Sequence, residues 1–407
     1  MRDVLIIGGG PGGLETARLL AGDGFDVAVY EEHATSGDPV HCTGVLAVEA
    51  FDQLGLSREV ILNPLSTARF YAPSGATVEH TTPDTEAVVV DRLALDRALF
   101  ATARRAGATL VTGRRVTDVR VEHASVAVSL NDGTTVRGRA CVLACGAQYA
   151  MQRRLGMGLP AVFLQSAQME LPAGRLGDVE VRFGRHVAPG GFAWTVPVVR
   201  PSGPYARVGL MCDRQAGHFF LRLTRDIAAR WGLDAGDPGG PLLTPRQKVL
   251  PLAPIPRTYA TRVLAVGDAA GLVKATTGGG IYYSLLSAGM ASDVLAPALR
   301  ADRLQAAALQ PYEAAWKARL GPELKAQLRL RLLSQRLSDA DIDAFFELAR
   351  TDGVMPIVRK TAKFNEHRDL ILSLLRHPPA RRVLLRRLGS HAQTPAAALS
   401  AAEPSGH

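Results

Sequence analysis

The residues of this sequence whose types and spacing can do chemistry fall into three groups, two of them glycine turns. Gly8-x-Gly10-x-x-Gly13 follows the apolar run Val4-Leu5-Ile6-Ile7 and precedes a helical pattern through Leu14, Ala17, Leu20 and Ala21. In that setting Gly8 permits a tight turn, Gly10 lets backbone amides approach a pyrophosphate, and Gly13 lets the helix pack on the strand. A second strand over 25–30 ends at Glu31, placed to accept from both hydroxyls of a ribose. The other turn is Gly267-Asp268, after an apolar run over 262–266. Asp268 suits a ribityl hydroxyl, while Gly279 and Gly280 leave room for a flat isoalloxazine ring at a helix start. Such a helix end also favours negative charge on the ring. Together the turns predict a split FAD site, with the adenosine diphosphate end at the first.

The third group is His41-Cys42-Thr43-Gly44. A cysteine in an apolar setting is most often an inert core residue. Here His41 and Thr43 are polar and Gly44 implies a close backbone approach, which favours a place beside the flavin. His41 is either a proton donor near neutral pH or an ordinary surface histidine.

The elements that must position these groups follow from pattern. Helical periodicity is expected over 46–54 and again over 93–107 after Asp91-Arg92. Residues 68–80 alternate as a hairpin turning at Pro73-Ser74-Gly75, and 86–91 reads as a further strand of the same inserted sheet. A three-stranded antiparallel unit is expected over 115–146, turning at Asn131-Asp132-Gly133. More strands fill 160–215, a helix 218–232, and a Gly/Pro-rich connection runs to Pro245. From 304 to 388 the pattern is helical, and the tail has the composition of a disordered segment. The fold class is therefore α/β (α+β overall). A Rossmann-like FAD-binding domain takes 1–64, 91–159 and 255–300. An inserted antiparallel β-sheet substrate domain takes 65–90 and 160–254, a helical C-terminal region 301–389, and the tail 390–407.

These motifs resemble the geranylgeranyl reductase family, within the FAD-dependent oxidoreductases shaped like p-hydroxybenzoate hydroxylase. The resemblance covers about residues 1–300. It implies that Arg92, with Asp96 one turn on, bonds near the flavin or its pyrophosphate, and that the backbone at Val116 meets the adenine. Where the group has an Asp-Gly motif after a buried strand, this chain has Ala144-Cys145-Gly146. Cys42-Thr43-Gly44 matches the cysteine-glycine feature of isoprenoid reductases. Their P-x-x-Y-x-W-x-F-P pattern is met as Pro189-x-x-Phe192-x-Trp194-x-Val196-Pro197, with Phe for Tyr and Val for Phe. Phe192 and Trp194 would form an apolar wall for a polyprenyl chain, although a core aromatic in a strand has the same pattern. The resemblance implies hydride transfer to an unactivated alkene, with Cys42 and His41 as catalytic candidates. NAD(P)H or a ferredoxin-like carrier would be the electron donor, since no second nucleotide-binding glycine motif is present. A flavin monooxygenase or halogenase acting on an aromatic substrate shares the scaffold, as does a flavoprotein passing electrons to a quinone.

Composition sets the outer bounds. Hydrophobic content of 47% and charged content of 21% suit a globular enzyme, and the net charge of +9 favours anionic ligands or surfaces. No basic stretch is interleaved with aromatics, which argues against nucleic acid. The four cysteines form neither a C-x-x-C pair nor a disulfide framework, and no metal-ligand spacing occurs, so a cytoplasmic setting is expected. The C-terminal helices carry Arg329, Arg331, Arg336, Arg381, Arg382, Arg386 and Arg387 among leucines. A solvated face packed on the catalytic domain is the commoner outcome of that pattern; peripheral contact with an anionic membrane is the alternative.

Overall fold

The computed structural model describes residues 1–233, 243–351 and 353–386. Most of the Gly/Pro-rich connection, Arg387 and the tail 390–407 lie outside the described residues.

The opening apolar run forms strand Arg2–Ile7 at the centre of the first sheet. It pairs in parallel with Val27–Tyr30 on one side and Thr135–Leu143 on the other. Thr109–Val111 and Val263–Ala265 extend the parallel order outward. Val4, Leu5 and Ile6 are wholly buried because helices cover both faces, which is why the strand reads as a continuous apolar run. Register decides the function of this sheet. Ile7 lies opposite both Tyr30 and Leu143, so Gly8, Glu31 and Ala144 leave the sheet together at its carboxyl end. That end is where ligands bind in open α/β sheets. The expected unit over 115–146 is an antiparallel extension, Val116–Val121, Val126–Leu130 and Thr135–Leu143.

Among the described residues the second sheet has seven strands. In order these are Arg246–Pro251, Phe163–Pro172, Gly203–Cys212, Phe192–Arg200, Val179–Arg182, Thr67–Tyr71 and Thr77–Thr81. Helix Ala216–Trp231 packs Phe220, Leu223, Ile227 and Trp231 over it. The hairpin over 68–80 joins this sheet as expected. Strand Ala87–Val90 does not: it lies between Val45–Ala47 and Ile61–Leu65 in a separate three-stranded sheet. All four of its side chains are buried, with Val89 against Val196 and Val198, so its run of valines satisfies neighbours on both faces. The helix expected over 46–54 begins only at Glu49, because Leu46 and Ala47 are taken into that sheet.

Five helices follow residue 301 among the described residues, beginning with Ala306–Ser334. The boundary placed at 301 is not a break in packing. Leu309, Tyr312, Trp316, Leu320 and Leu324 belong to the core of the first domain. Tyr312 donates to the Ala265 carbonyl at 2.8 Å, and Trp316 Nε1 to Thr258 Oγ1 at 2.8 Å. The remaining helices, through Pro378–Leu385, form their own small core around Val354, Leu374, Ala380 and Leu384. No helix of the described residues is long and apolar enough to cross a membrane.

Candidate functional site

The first glycine turn is built by contacts that exclude side chains. Gly8 has φ +105°, and a Cβ there would lie 2.4 Å from the Ala144 carbonyl oxygen. At Gly13 a Cβ would meet the Gly8 carbonyl oxygen at 2.0 Å, so helix Pro11–Gly22 sits directly on the turn. Gly10, by contrast, has nothing within 4 Å of its Cβ position and faces the open cleft. The helix starts without a side-chain cap and without an acid in its first turn, leaving N–H groups free for an anion. Glu31 holds the turn from the next strand end, accepting from Gly9 N at 2.7 Å and from His33 N at 2.9 Å.

Opposite it stands the second turn. Gly267, at φ +57°, donates its N–H to Ser287 Oγ at 3.0 Å. Asp268 follows, its carbonyl accepting from the Tyr149 hydroxyl and its Oδ2 from Lys248 Nζ at 3.1 Å. A Cβ at Gly280 would come within 2.5 Å of Asp268 Oδ1. Helix Ile281–Arg300 then begins, again without a side-chain cap or an early acid. A Cβ on Gly12 would touch the Ser284 carbonyl at 3.4 Å, so the two helices cross closely and open their N-termini on one cleft.

The Cys42 segment forms a third wall. Cys42 Sγ accepts from Gly44 N at 3.3 Å and faces the Arg92 guanidinium, which also grips Asp96 at 2.6 and 2.7 Å. Burial works against the charge on Arg92, but Asp96 and Cys42 outweigh it and raise its pKa. Gly44 has φ +67°, and a Cβ there would strike Arg207 Nη1 at 2.7 Å. Arg207 donates to the Thr43 and Val90 carbonyls at 2.6 and 2.9 Å and to Glu170 at 2.7 Å, while Thr43 Oγ1 donates to Gln168 at 2.9 Å. The second sheet thereby fixes Cys42. Burial pulls Glu170 upward, but Arg200 and Arg207 prevail and hold its carboxyl below the usual range. A carboxylate of that kind contributes stability above its unfolded pKa and loses it as pH falls towards the folded value. Acid unfolding should therefore steepen below about pH 4.5, and Glu170→Gln should flatten that limb of a stability-against-pH curve. An unchanged limb would mean that Glu170 carries no linked charge.

The residues singled out in the sequence do not all meet. Gly8, Gly10, Glu31, His41, Cys42, Arg92, Val116, Gly267, Asp268 and Gly280 line the cleft. Gly13 lies behind it as a packing glycine, and Gly279 packs against the Lys274 stem, where a Cβ would lie 2.9 Å from Cε. Phe192 and Trp194 lie one layer back, 5.8 Å apart between ring centres, in a cluster with Leu164, Met211 and Leu250. Leu250 is shared between that cluster and the cleft. Burial together with Lys248, Arg246 and His33 depresses the His41 pKa, so its ring is neutral at pH 7. Cys145 is a neutral thiol, pushed up to about 11 by burial, and donates to the Gln148 carbonyl at 3.3 Å. Among the described residues no group of three His, Cys, Asp or Glu side chains is placed to hold a metal. Lys248 and Tyr149 were not singled out. The signal for Lys248 was present, since in RQKVLP it shares the inward period with Leu250.

The C-terminal helices reach this site too. Arg331 is buried and donates to the carbonyls of Ala275 at 2.8 Å, Gly190 at 3.2 Å and Thr276. It therefore belongs to no surface, unlike its expected arginine neighbours. Lys274 Nζ donates to the Phe364 carbonyl at 3.0 Å and to Asn365 Oδ1 at 3.2 Å, and burial pushes it down to about 8. These bonds fix the loop carrying Gly278 and Gly280. Arg331→Met should cost about 1–3 kcal/mol and lower Tm by several degrees, read by thermal melting, because three carbonyls lose their donor.

FAD fits these residues. Two uncapped helix starts, the open cradle at Gly10, and the buried Arg92 Nε that finds no partner among the described residues all face one cleft. Comparison with known proteins agrees. Residues 1–161 match the FAD binding domain family. The chain is 27% identical over 366 residues to the digeranylgeranylglycerophospholipid reductase of Methanocaldococcus jannaschii, covering 85% of this chain and 90% of that one. It is 29% identical over 369 residues to the protein of the same name from Methanothrix thermoacetophila, covering 86% and 92%. A geranylgeranyl bacteriochlorophyll reductase-like protein from Thermoplasma acidophilum has the same fold, with a TM-score of 0.78 at 22% identity over 95% of this chain and 99% of that one.

Proposed function

We propose that this FAD-dependent oxidoreductase reduces carbon–carbon double bonds of a polyprenyl, geranylgeranyl-type lipid. The observation that carries the reading is the meeting, in one cleft, of two open helix starts with the Cys42–Arg92 corner. The names of the relatives, matched over most of their length, support the lipid class. When bound, the flavin supplies the hydride. An isolated alkene offers no carbonyl to polarise, so the protein's work is alignment and exclusion of water. The amides behind Gly10 hold the pyrophosphate, Asp268 takes the ribityl hydroxyls, and the start of helix Ile281–Arg300 favours charge on the ring. Cys42, steadied by Arg92, is the group we assign to hold the proton for the second alkene carbon, while His41, neutral at pH 7, lines the cleft beside it.

Leu250 gives the lipid chain an apolar contact in the cleft, backed by Phe192 and Trp194 one layer behind it. Trp194→Ala should raise KM for the lipid about tenfold, the effect of removing a buried aromatic contact, and leave FAD affinity unchanged. Equal losses in lipid and FAD binding would show that Trp194 serves the fold instead. The reductant is a transient NAD(P)H or a ferredoxin-like carrier. The protein is cytoplasmic, with the exposed arginines of the last helices as a solvated face and peripheral contact with an anionic membrane as the alternative; flotation with anionic liposomes, lost at high salt, would establish that contact. For the activity itself, the flavoprotein is reduced anaerobically and mixed with geranylgeranyl lipid. Reoxidation with a gain of two mass units per double bond is expected. Flavin that stays reduced beside unchanged lipid overturns the reading, and oxygen uptake stimulated by an aromatic compound would mark a monooxygenase.

A further inference from the structure

Strand Arg246–Pro251 is the edge of the seven-stranded sheet and turns Lys248 and Leu250 into the cleft. Leu250 abuts Gly278, where a Cβ would lie 3.0 Å from Cδ1, and so marks this wall as the one facing the start of helix Ile281–Arg300. Lys248 is one step along the same face. Its Nζ bonds Asp268 Oδ2 at 3.1 Å, and its charge acts on His41. Asp268 thus divides its oxygens, with Oδ2 on Lys248 and Oδ1 towards Gly280. The other cation of this corner, Arg92, spends Nη2 on both oxygens of Asp96. Lys248 has one carboxylate oxygen, and that carboxylate is the group assigned to the ribityl chain.

We propose that Lys248 is a positioning residue of the flavin half of the site. It holds Asp268 by Oδ2 so that Oδ1 is presented to the cofactor, and it sets the positive charge facing the isoalloxazine ring. This inference rests on the FAD reading above. Asp268 outweighs the effect of burial and keeps Lys248 protonated, so the residue acts as a fixed charge and not as a proton donor. A fixed cation near the ring favours its reduced, anionic state and raises the reduction potential.

The test uses the holoprotein with Lys248→Met, Lys248→Gln and Lys248→Arg. Loss of the charge should weaken the preference for reduced flavin about tenfold, which lowers the two-electron midpoint potential by about 30 mV. Sulfite, which adds to flavin N5 and leaves negative charge on the ring, should bind about tenfold more weakly to the Met and Gln variants. Lys248→Arg should restore most of both. FAD-loaded Met or Gln variants with unchanged potential and sulfite affinity overturn the proposal and leave Lys248 as a partner of Asp268 alone. Failure of the unsubstituted protein to bind FAD would instead overturn the function reading, and this inference with it.

Discussion

Gly10→Ala should abolish tight FAD binding while leaving the apoprotein folded, and Gly13→Ala, three residues on, should do the reverse damage. The two glycines belong to one motif but meet different neighbours. Gly10 has φ −82° and ψ −179°, which alanine adopts freely, and its methyl would enter open cleft. The apoprotein should melt within about 1 kcal/mol of the parent, because nothing folded is displaced. FAD affinity should fall about a hundredfold or more, because the methyl takes the space through which amides reach the pyrophosphate. At Gly13 the methyl would sit 2.0 Å from a backbone oxygen. Backbone cannot swing aside as a side chain can, so helix Pro11–Gly22 must lift from its strand. A cost on the order of 4 kcal/mol is expected, a large part of a domain's stability. Thermal melts of both apoproteins, with flavin titration of Gly10→Ala, check the contrast. A Gly10→Ala protein that binds FAD normally would remove the pyrophosphate from this turn.

Asp268→Ala should lose both cofactor and stability. The carboxylate serves Lys248 on one oxygen, and the proposed ribityl contact would use the other. Hydrogen bonds to a charged group contribute about 1.5–3 kcal/mol, so FAD affinity should fall roughly 10- to 100-fold. The substitution also strands Lys248 without its counterion, but its side chain is 37% exposed, so this costs the apoprotein no more than about 1 kcal/mol. The double variant Asp268→Ala/Lys248→Met separates the two effects. Apoprotein stability should recover when the orphaned charge is removed, while FAD affinity should not. Recovery of FAD binding in the double variant would mean that Asp268 acts only by neutralising Lys248.

Much of the nucleotide half was legible in the sequence because its constraints are local. A tight turn, a close helix contact and a strand-end acid each demand a residue type at fixed spacing, and Gly8, Gly13 and Glu31 supply them. What stayed illegible depends on distant partners. Ala87–Val90 has the pattern of any buried strand, and only pairing with Val45–Ala47 and Ile61–Leu65 takes it out of the second sheet. Arg331 looks like its neighbours in a basic helix, yet three loop carbonyls in need of donors draw it inside. Gly279 sits in the same glycine run as Gly280, but which of them faces the cleft depends on where the Lys274 stem lies. Lys248 had the inward period of its strand, though its meaning came only with Asp268 across the cleft.

The hold of Phe364 and Asn365 on Lys274 has a consequence for synthesis on the ribosome. The central strand and first turn are made long before strand Val263–Ala265, which completes their sheet by pairing with Thr135–Leu143, and the loop beyond that strand is pinned by residues near the end of the described chain. A nascent chain halted before residue 364 carries every glycine of the cleft yet lacks the bonds that set the second turn. Stable cofactor capture is therefore expected only once the segment around residue 364 has been made. Arrested chains ending at residue 350 should fail to retain FAD, whereas full-length chains released from the ribosome should retain it.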